Sequence, residues 1–155
     1  MEERSPELKV GVLGAGTVGS QVIRMLTEQA DDFEARSGAR IRVNKVAVRR
    51  LDAPRDYDVD PALLSTRPEE AIDGQDIVVE LIGGIEPART YVIRALKQGI
   101  SVVTGNKALL AAHGPELYAA AAETGARPLL RGLGCGRSSR VYGLRESLAV
   151  TASPR

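Results

Sequence analysis

Short apolar runs and helical patterns alternate along most of the chain. Lys9–Leu13 sets valines directly against a glycine cluster and predicts a strand entering a tight turn. Val18, Val22, Ile23, Met25 and Leu26 follow at the spacing of one helix face. "DDFEARSGAR" is polar and reads as a loop, whereas Ile41–Val48 alternates like a strand. "LDAPRDYDVDP" is a second loop, and "EEAIDG" predicts a short helix ending at Gly74. The run from Ile77 to Ile82, closed by two glycines, has the character of a buried strand. A helix is expected from Pro87 to Gly99, with proline at its start and glycine at its stop. "ISVVTG" is a further strand, and "NKALLAAHGPELYAAAAETG" predicts a helical turn and then an Ala-rich helix. Strands alternating with helices predict an α/β fold, a parallel sheet covered on both faces.

Composition adds exclusions. The chain has 155 residues, 43% of them hydrophobic and 26% charged, as in one ordinary globular domain. A formal charge of +1 and 3% aromatic residues give no reason to expect nucleic-acid binding. No apolar run approaches the ~20 residues of a membrane span, and "MEERSPELKV" has no apolar signal region. The single cysteine, Cys135, cannot form an internal disulfide. A cytoplasmic domain without membrane, nucleic-acid or metal partners is expected.

Gly14, Ala15, Gly16, Thr17, Val18 and Gly19 form a G-x-G-x-x-G string between strand and helix. In that context the first glycine makes the turn, the second lets a pyrophosphate approach the backbone, and the third packs helix on sheet. The helix N-terminus offers N–H groups and positive dipole to the phosphates. The fold class expected is therefore a Rossmann-type doubly wound parallel sheet. An acid ending the second strand would hold the ribose hydroxyls of NAD. Arg49 and Arg50 stand there instead, and a guanidinium suits the 2′-phosphate of NADP. NADP is the expected cofactor, with NAD possible; solvated loop arginines are the alternative reading.

Further along, "VVELIGGIEPARTYVIRALKQGISVVTGNKALLAAHGPEL" resembles the nucleotide-binding domain of the homoserine dehydrogenase family, as do "GVLGAGTVGSQVIRML" and "VAVR". The resemblance covers about Lys9 to Gly125. Two positions depart from the family pattern: Gly105 where alanine is common, and Ala53 where many members carry lysine. The resemblance implies NAD(P)-dependent hydride transfer between aspartate 4-semialdehyde and homoserine, a step in threonine and methionine biosynthesis, in a homodimeric enzyme. It places Ile82, Gly83 and Gly84 beside the cofactor, and Thr104, Asn106 and Lys107 near the nicotinamide. Lys107 is the implied catalytic residue; from the residues alone it reads as a solvent-facing helix start. Glu80 could be a satisfied packing residue or a polar group on the cofactor side. His113 reads as a surface histidine at a helix end.

After Gly125 the character of the chain changes. Arg127–Arg155 holds six arginines, no lysine and one acid, Glu146. A permissible coding string for Arg127–Ser138, read one base later, gives the family-like "DLYFEASVAGA". One restored base likewise turns a coding string for Ala149–Arg155 into "AGDRVTP". The expected organisation is a dinucleotide-binding domain over 1–125 and an aberrant, frame-shifted tail over 126–155, with a genuine divergent loop as the alternative reading of the tail. The sheet is then incomplete on its C-terminal side, and the substrate domain is absent. A chain of that kind is expected to bind cofactor at most; the alternative readings are a non-catalytic dinucleotide-binding module and another NAD(P) oxidoreductase of amino-acid-derived aldehydes.

Overall fold

A computed structural model of the chain describes residues 5–130. Six parallel strands, β1 (Glu7–Leu13), β2 (Arg40–Ala47), β3 (Leu64–Ser65), β4 (Ile77–Glu80), β5 (Ser101–Thr104) and β6 (Pro128–Leu130), form one sheet in the order β3-β2-β1-β4-β5-β6. That is the doubly wound order, with its switch point between β1 and β4.

Helices α1 (Thr17–Glu28), α2 (Ala30–Ser37), α3 (Ala88–Lys97) and α4 (Lys107–Thr124) connect and cover the strands. Two apolar clusters result. Val10, Val12, Ile23, Ile41, Val43 and Val46 join β1 and β2 to α1. Leu13, Val78, Val92, Leu96, Val102, Leu109 and Leu117 join the sheet to α3 and α4. Burying side chains of this size contributes about 1.5–3 kcal/mol each.

Several elements differ from expectation. The polar stretch after α1 is a helix, α2, not a loop. Asp31 and Asp32 lie in its first turn, Arg36 in its last, and Gly38 closes it at φ 74°. Charges matched to the helix dipole and a left-handed glycine cap stabilise a helix with little apolar periodicity. "EEAIDG" contributes only part of a 3₁₀ turn, Pro68–Ala71, before the chain reverses at Gly74 (φ 74°). The helical turn and Ala-rich helix expected after β5 are one helix, α4, which continues through Pro115. Leu109 and Leu117, buried on its inner face, hold the two halves in line. His113 therefore lies inside a helix rather than at an end, with Nδ1 3.3 Å from the Glu116 carboxylate. Val18, expected on the buried face of α1, is 62% exposed.

The edge beyond β5 is also paired, where an unpaired sheet was expected. Val102, Val103 and Thr104 register with Pro128, Leu129 and Leu130. A proline fits the first residue of an edge strand, where no ladder N–H is required of it. The frame-shift reading of the tail falls, beyond Leu130, outside the described residues.

β1 contains Gly11, opposite a register shift in β2 between Val43 and Lys45. A Cβ built on Gly11 would lie 1.7 Å from the Ala71 carbonyl oxygen. The 3₁₀ turn thus packs its backbone directly on the strand, which only glycine permits.

Candidate functional site

The carboxyl ends of β1, β2 and β4 open into a cleft of about 540 Å³, within the range of small-molecule sites. Its floor is the glycine turn Gly14–Gly16, one wall is Ala47–Arg50, and the facing wall includes Leu81, Ile82 and Tyr91. Its position outside the strand ends at the switch point follows from the strand order.

Each glycine of the turn has its own reason. Gly14 has φ 100°, and a Cβ there would stand 3.0 Å from the Leu81 carbonyl, where the loops after β1 and β4 touch. A Cβ on Gly19 would lie 2.2 Å from the Gly14 carbonyl oxygen, so this glycine lets α1 approach the turn. Gly16 differs, because a Cβ there meets no protein atom within 4 Å. The first helical bond of α1 runs from Ser20 N–H to the Gly16 carbonyl at 2.8 Å. The N–H groups of Thr17, Val18 and Gly19 therefore stand ahead of the bonded turns. No side chain caps this end and no acid lies in its first turn. By contrast, the Asn106 side chain caps α4 by accepting from Leu109 N–H at 3.1 Å. An uncapped helix start facing open space suits an anionic group, so the residues present fit the pyrophosphate of a dinucleotide.

Glu80, at the end of β4, is 1% exposed. One carboxylate oxygen accepts from Ile82 N–H at 2.7 Å and Gly83 N–H at 3.1 Å; the other accepts from the Thr104 hydroxyl at 2.6 Å. The Thr104 oxygen in turn accepts from Asn106 N–H at 3.1 Å, and the Asn106 amide donates to the Gly84 carbonyl. Of the two readings left open by the sequence, the satisfied internal group is the one observed. Glu80 shapes the loop after β4, where Gly83 and Gly84 take φ 77° and 72°.

Gly14, Ala15, Gly16, Arg49, Arg50 and Ile82 are brought together around the cleft. Gly83 and Gly84 lie on the exposed part of the same loop, beyond the lining. Thr104 is buried against Glu80 and presents no side chain to the cleft. Asn106 is partly buried, and Lys107 is exposed at the first position of α4, outside the lining. Sequence reasoning does not reach Arg55, Thr66 or Tyr91, which also line the cleft. For Arg55 the contacts that place it are made to loop carbonyls and leave no sequence pattern.

Among the described residues no helix is long and apolar enough to cross a membrane, and no cluster of His, Cys, Asp and Glu could hold a metal ion.

Residues 14–131 match the family described as "Homoserine dehydrogenase, NAD binding domain". A homoserine dehydrogenase of Corynebacterium glutamicum is 43% identical over 150 residues, covering 94% of this chain and 34% of that protein. One from Synechocystis sp. is 40% identical over 145 residues, covering 91% and 33%. The crystal structure of S. aureus homoserine dehydrogenase at pH 7.0 superimposes with a TM-score of 0.75 at 31% identity, over 82% of this chain and 33% of that one. The chain thus spans about a third of the length of these relatives. Over that third, the family match, the sequence identity and the superposition agree, and the chain belongs to the homoserine dehydrogenase family as its NAD-binding domain.

Proposed function

We propose that the cleft binds a dinucleotide, NADP in preference to NAD, as the cofactor part of an enzyme interconverting aspartate 4-semialdehyde and homoserine. The observation that carries this reading is the uncapped start of α1 facing the space at Gly16. Gly14–Gly19 would hold the pyrophosphate, and Arg49 and Arg50 the ribose 2′-phosphate. Ile82, Gly83 and Gly84 would run alongside the cofactor, with Thr104, Asn106 and Lys107 toward its nicotinamide end.

The bound dinucleotide would supply hydride chemistry, adding hydride to the aldehyde carbon in one direction and removing it from the alcohol in the other. Lys107 would hold the carbonyl oxygen and give it the proton that completes the hydroxyl. A cation at the positive end of α4, with no acid in the first turn, is electrostatically unfavourable. That placement is better accounted for by a chemical role than by stability. Asn106 would fix the start of α4 beneath it. By family, the complete enzyme would be a cytoplasmic homodimer serving threonine and methionine biosynthesis.

Calorimetric titration of the chain with NADPH and NADH tests the cofactor reading. Gly16 has φ −72°, open to any residue, so Gly16→Val should leave the melting temperature within about 2 °C. The same change should weaken dinucleotide binding at least about 10-fold, since the branched side chain occupies the pyrophosphate position. Full-strength binding by the valine variant would move the pyrophosphate elsewhere.

For the chain after Gly125, we keep the proposal of a domain over 1–125 followed by a shifted-frame tail over 126–155, with the first residues of that tail, Pro128–Leu130, joining the domain's sheet as β6. Resequencing the coding DNA from the Gly125 codon should show one-base insertions or deletions, and a clean read would refute the shift.

A further inference from the structure

Three arginines stand at the β2 side of the cleft, and their charges are not equivalent. Arg55 is committed to its own loop. Its Nη1 donates to the Leu51 and Ala53 carbonyls at 3.0 and 2.9 Å, and its Nη2 donates to the Arg50 carbonyl at 2.5 Å. Arg50 is held by a neighbour two residues on: Nε and Nη2 donate to the two carboxylate oxygens of Asp52 at 3.2 and 3.0 Å. Arg49 has no carboxylate partner among the described residues.

The Arg50–Asp52 pair is exposed on both sides, so it adds little to stability. Its consequence is for an incoming anion. The bidentate geometry uses the same guanidinium edge that a phosphate would take. The Arg50 hydrogen bonds, with Arg55 nearby, hold the Asp52 carboxyl below its ordinary range, so it is a full anion near neutral pH. A 2′-phosphate reaching Arg50 must displace this carboxylate or sit beside it. A ribose 2′-hydroxyl carries no charge and meets no such competition. Arg55 fixes the carbonyls of Arg50, Leu51 and Ala53, which keeps the acid on the rim.

Resting on the dinucleotide reading above, we infer that Asp52 sets the selectivity of this domain. It competes with the phosphate for Arg50 and so lowers the preference for NADP over NAD, leaving Arg49 as the cation of the pair that meets the phosphate unopposed. The residue is a selectivity determinant acting through Arg50, with no contact to the reacting atoms.

The test is calorimetric titration of the 155-residue chain and its Asp52→Asn variant with NADPH and NADH. The variant should bind NADPH about three- to ten-fold more tightly, with NADH affinity unchanged within about two-fold. The gain should shrink at high salt and vanish when Arg50→Ala is added. An unchanged NADPH-to-NADH ratio overturns the inference. Weaker NADPH binding overturns it too, because Asp52 would then be orienting Arg50 for the phosphate. Wild-type chain that binds neither dinucleotide removes the underlying reading, a failure visible before any variant is made.

Discussion

Gly11→Ala is expected to destabilise the domain by about 3 kcal/mol or more, a large share of the roughly 5–15 kcal/mol that holds an ordinary domain together. The added methyl would sit 1.7 Å from the Ala71 carbonyl oxygen and 3.0 Å from Gln75 Cγ. The side chain of Gln75 can shift, but the carbonyl belongs to a 3₁₀ turn begun by Pro68 and anchored by the buried Ala71 and Ile72. Separating the turn from β1 would pull those two residues from the core. It would also strain the bond from the Gln75 amide to the Glu70 carbonyl at 3.2 Å. Gly11 is extended backbone, where alanine normally gains about 0.4–1 kcal/mol through the unfolded state. Steric overlap with fixed backbone outweighs that gain. Urea unfolding of the variant measures the loss directly, and a midpoint equal to wild type would show that the turn can move freely.

The second large effect is at Glu80. Glu80→Ala removes the acceptor, itself buried, for two backbone N–H groups and one hydroxyl. Leaving a buried donor unpaired costs about 1–3 kcal/mol; the Thr104 hydroxyl is buried while the Ile82 and Gly83 N–H groups lie toward solvent and recover part of theirs, so a loss of about 2–4 kcal/mol is expected. Glu80→Gln is the control. Its carbonyl can still accept from Ile82 and Gly83, while its amide must face Thr104, whose hydroxyl hydrogen then loses its acceptor. A smaller loss of about 1–2 kcal/mol should follow. Equal effects of the two variants would mean that the carboxylate is not organising the loop. Thermal unfolding gives the stability, and titration with NADPH reads the shape of the Ile82–Gly84 loop independently.

What the sequence discloses depends on the range over which each feature is determined. The turn from β1 into α1 is legible because the glycine spacing and the helical pattern that follows it are local, although Gly14 owes its place also to the distant Leu81 carbonyl. The strands are legible for a similar reason: β1, β4 and β5 carry continuous apolar runs, and β2 alternates buried and exposed residues along its first half. α2 escapes because it rests on charge placement and a glycine cap rather than on periodicity; Asp31, Asp32 and Gly38 are the signals that could have found it. α4 is misjudged at Gly114–Pro115 because local breaker residues are overruled by Leu109 and Leu117 packing on the sheet. The role of Glu80 depends on Thr104, a residue 24 positions later, and no spacing rule reaches that far. The same holds for Arg55, which lines the cleft only because three loop carbonyls fold onto it.

The central place of β1 has a consequence for how the molecule breathes. Its amides and carbonyls are laddered to β2 on one side and β4 on the other, whereas among the described residues β3 and β6 pair with one neighbour each. Amide hydrogen exchange should therefore be slowest at Val10–Leu13, following global unfolding, and fastest at the two edges. The glycine turn grows from the strand least able to open on its own. Fraying of β6 can proceed while the glycine-turn end of the cleft keeps its shape, so the two ends of the described sheet report on different free energies.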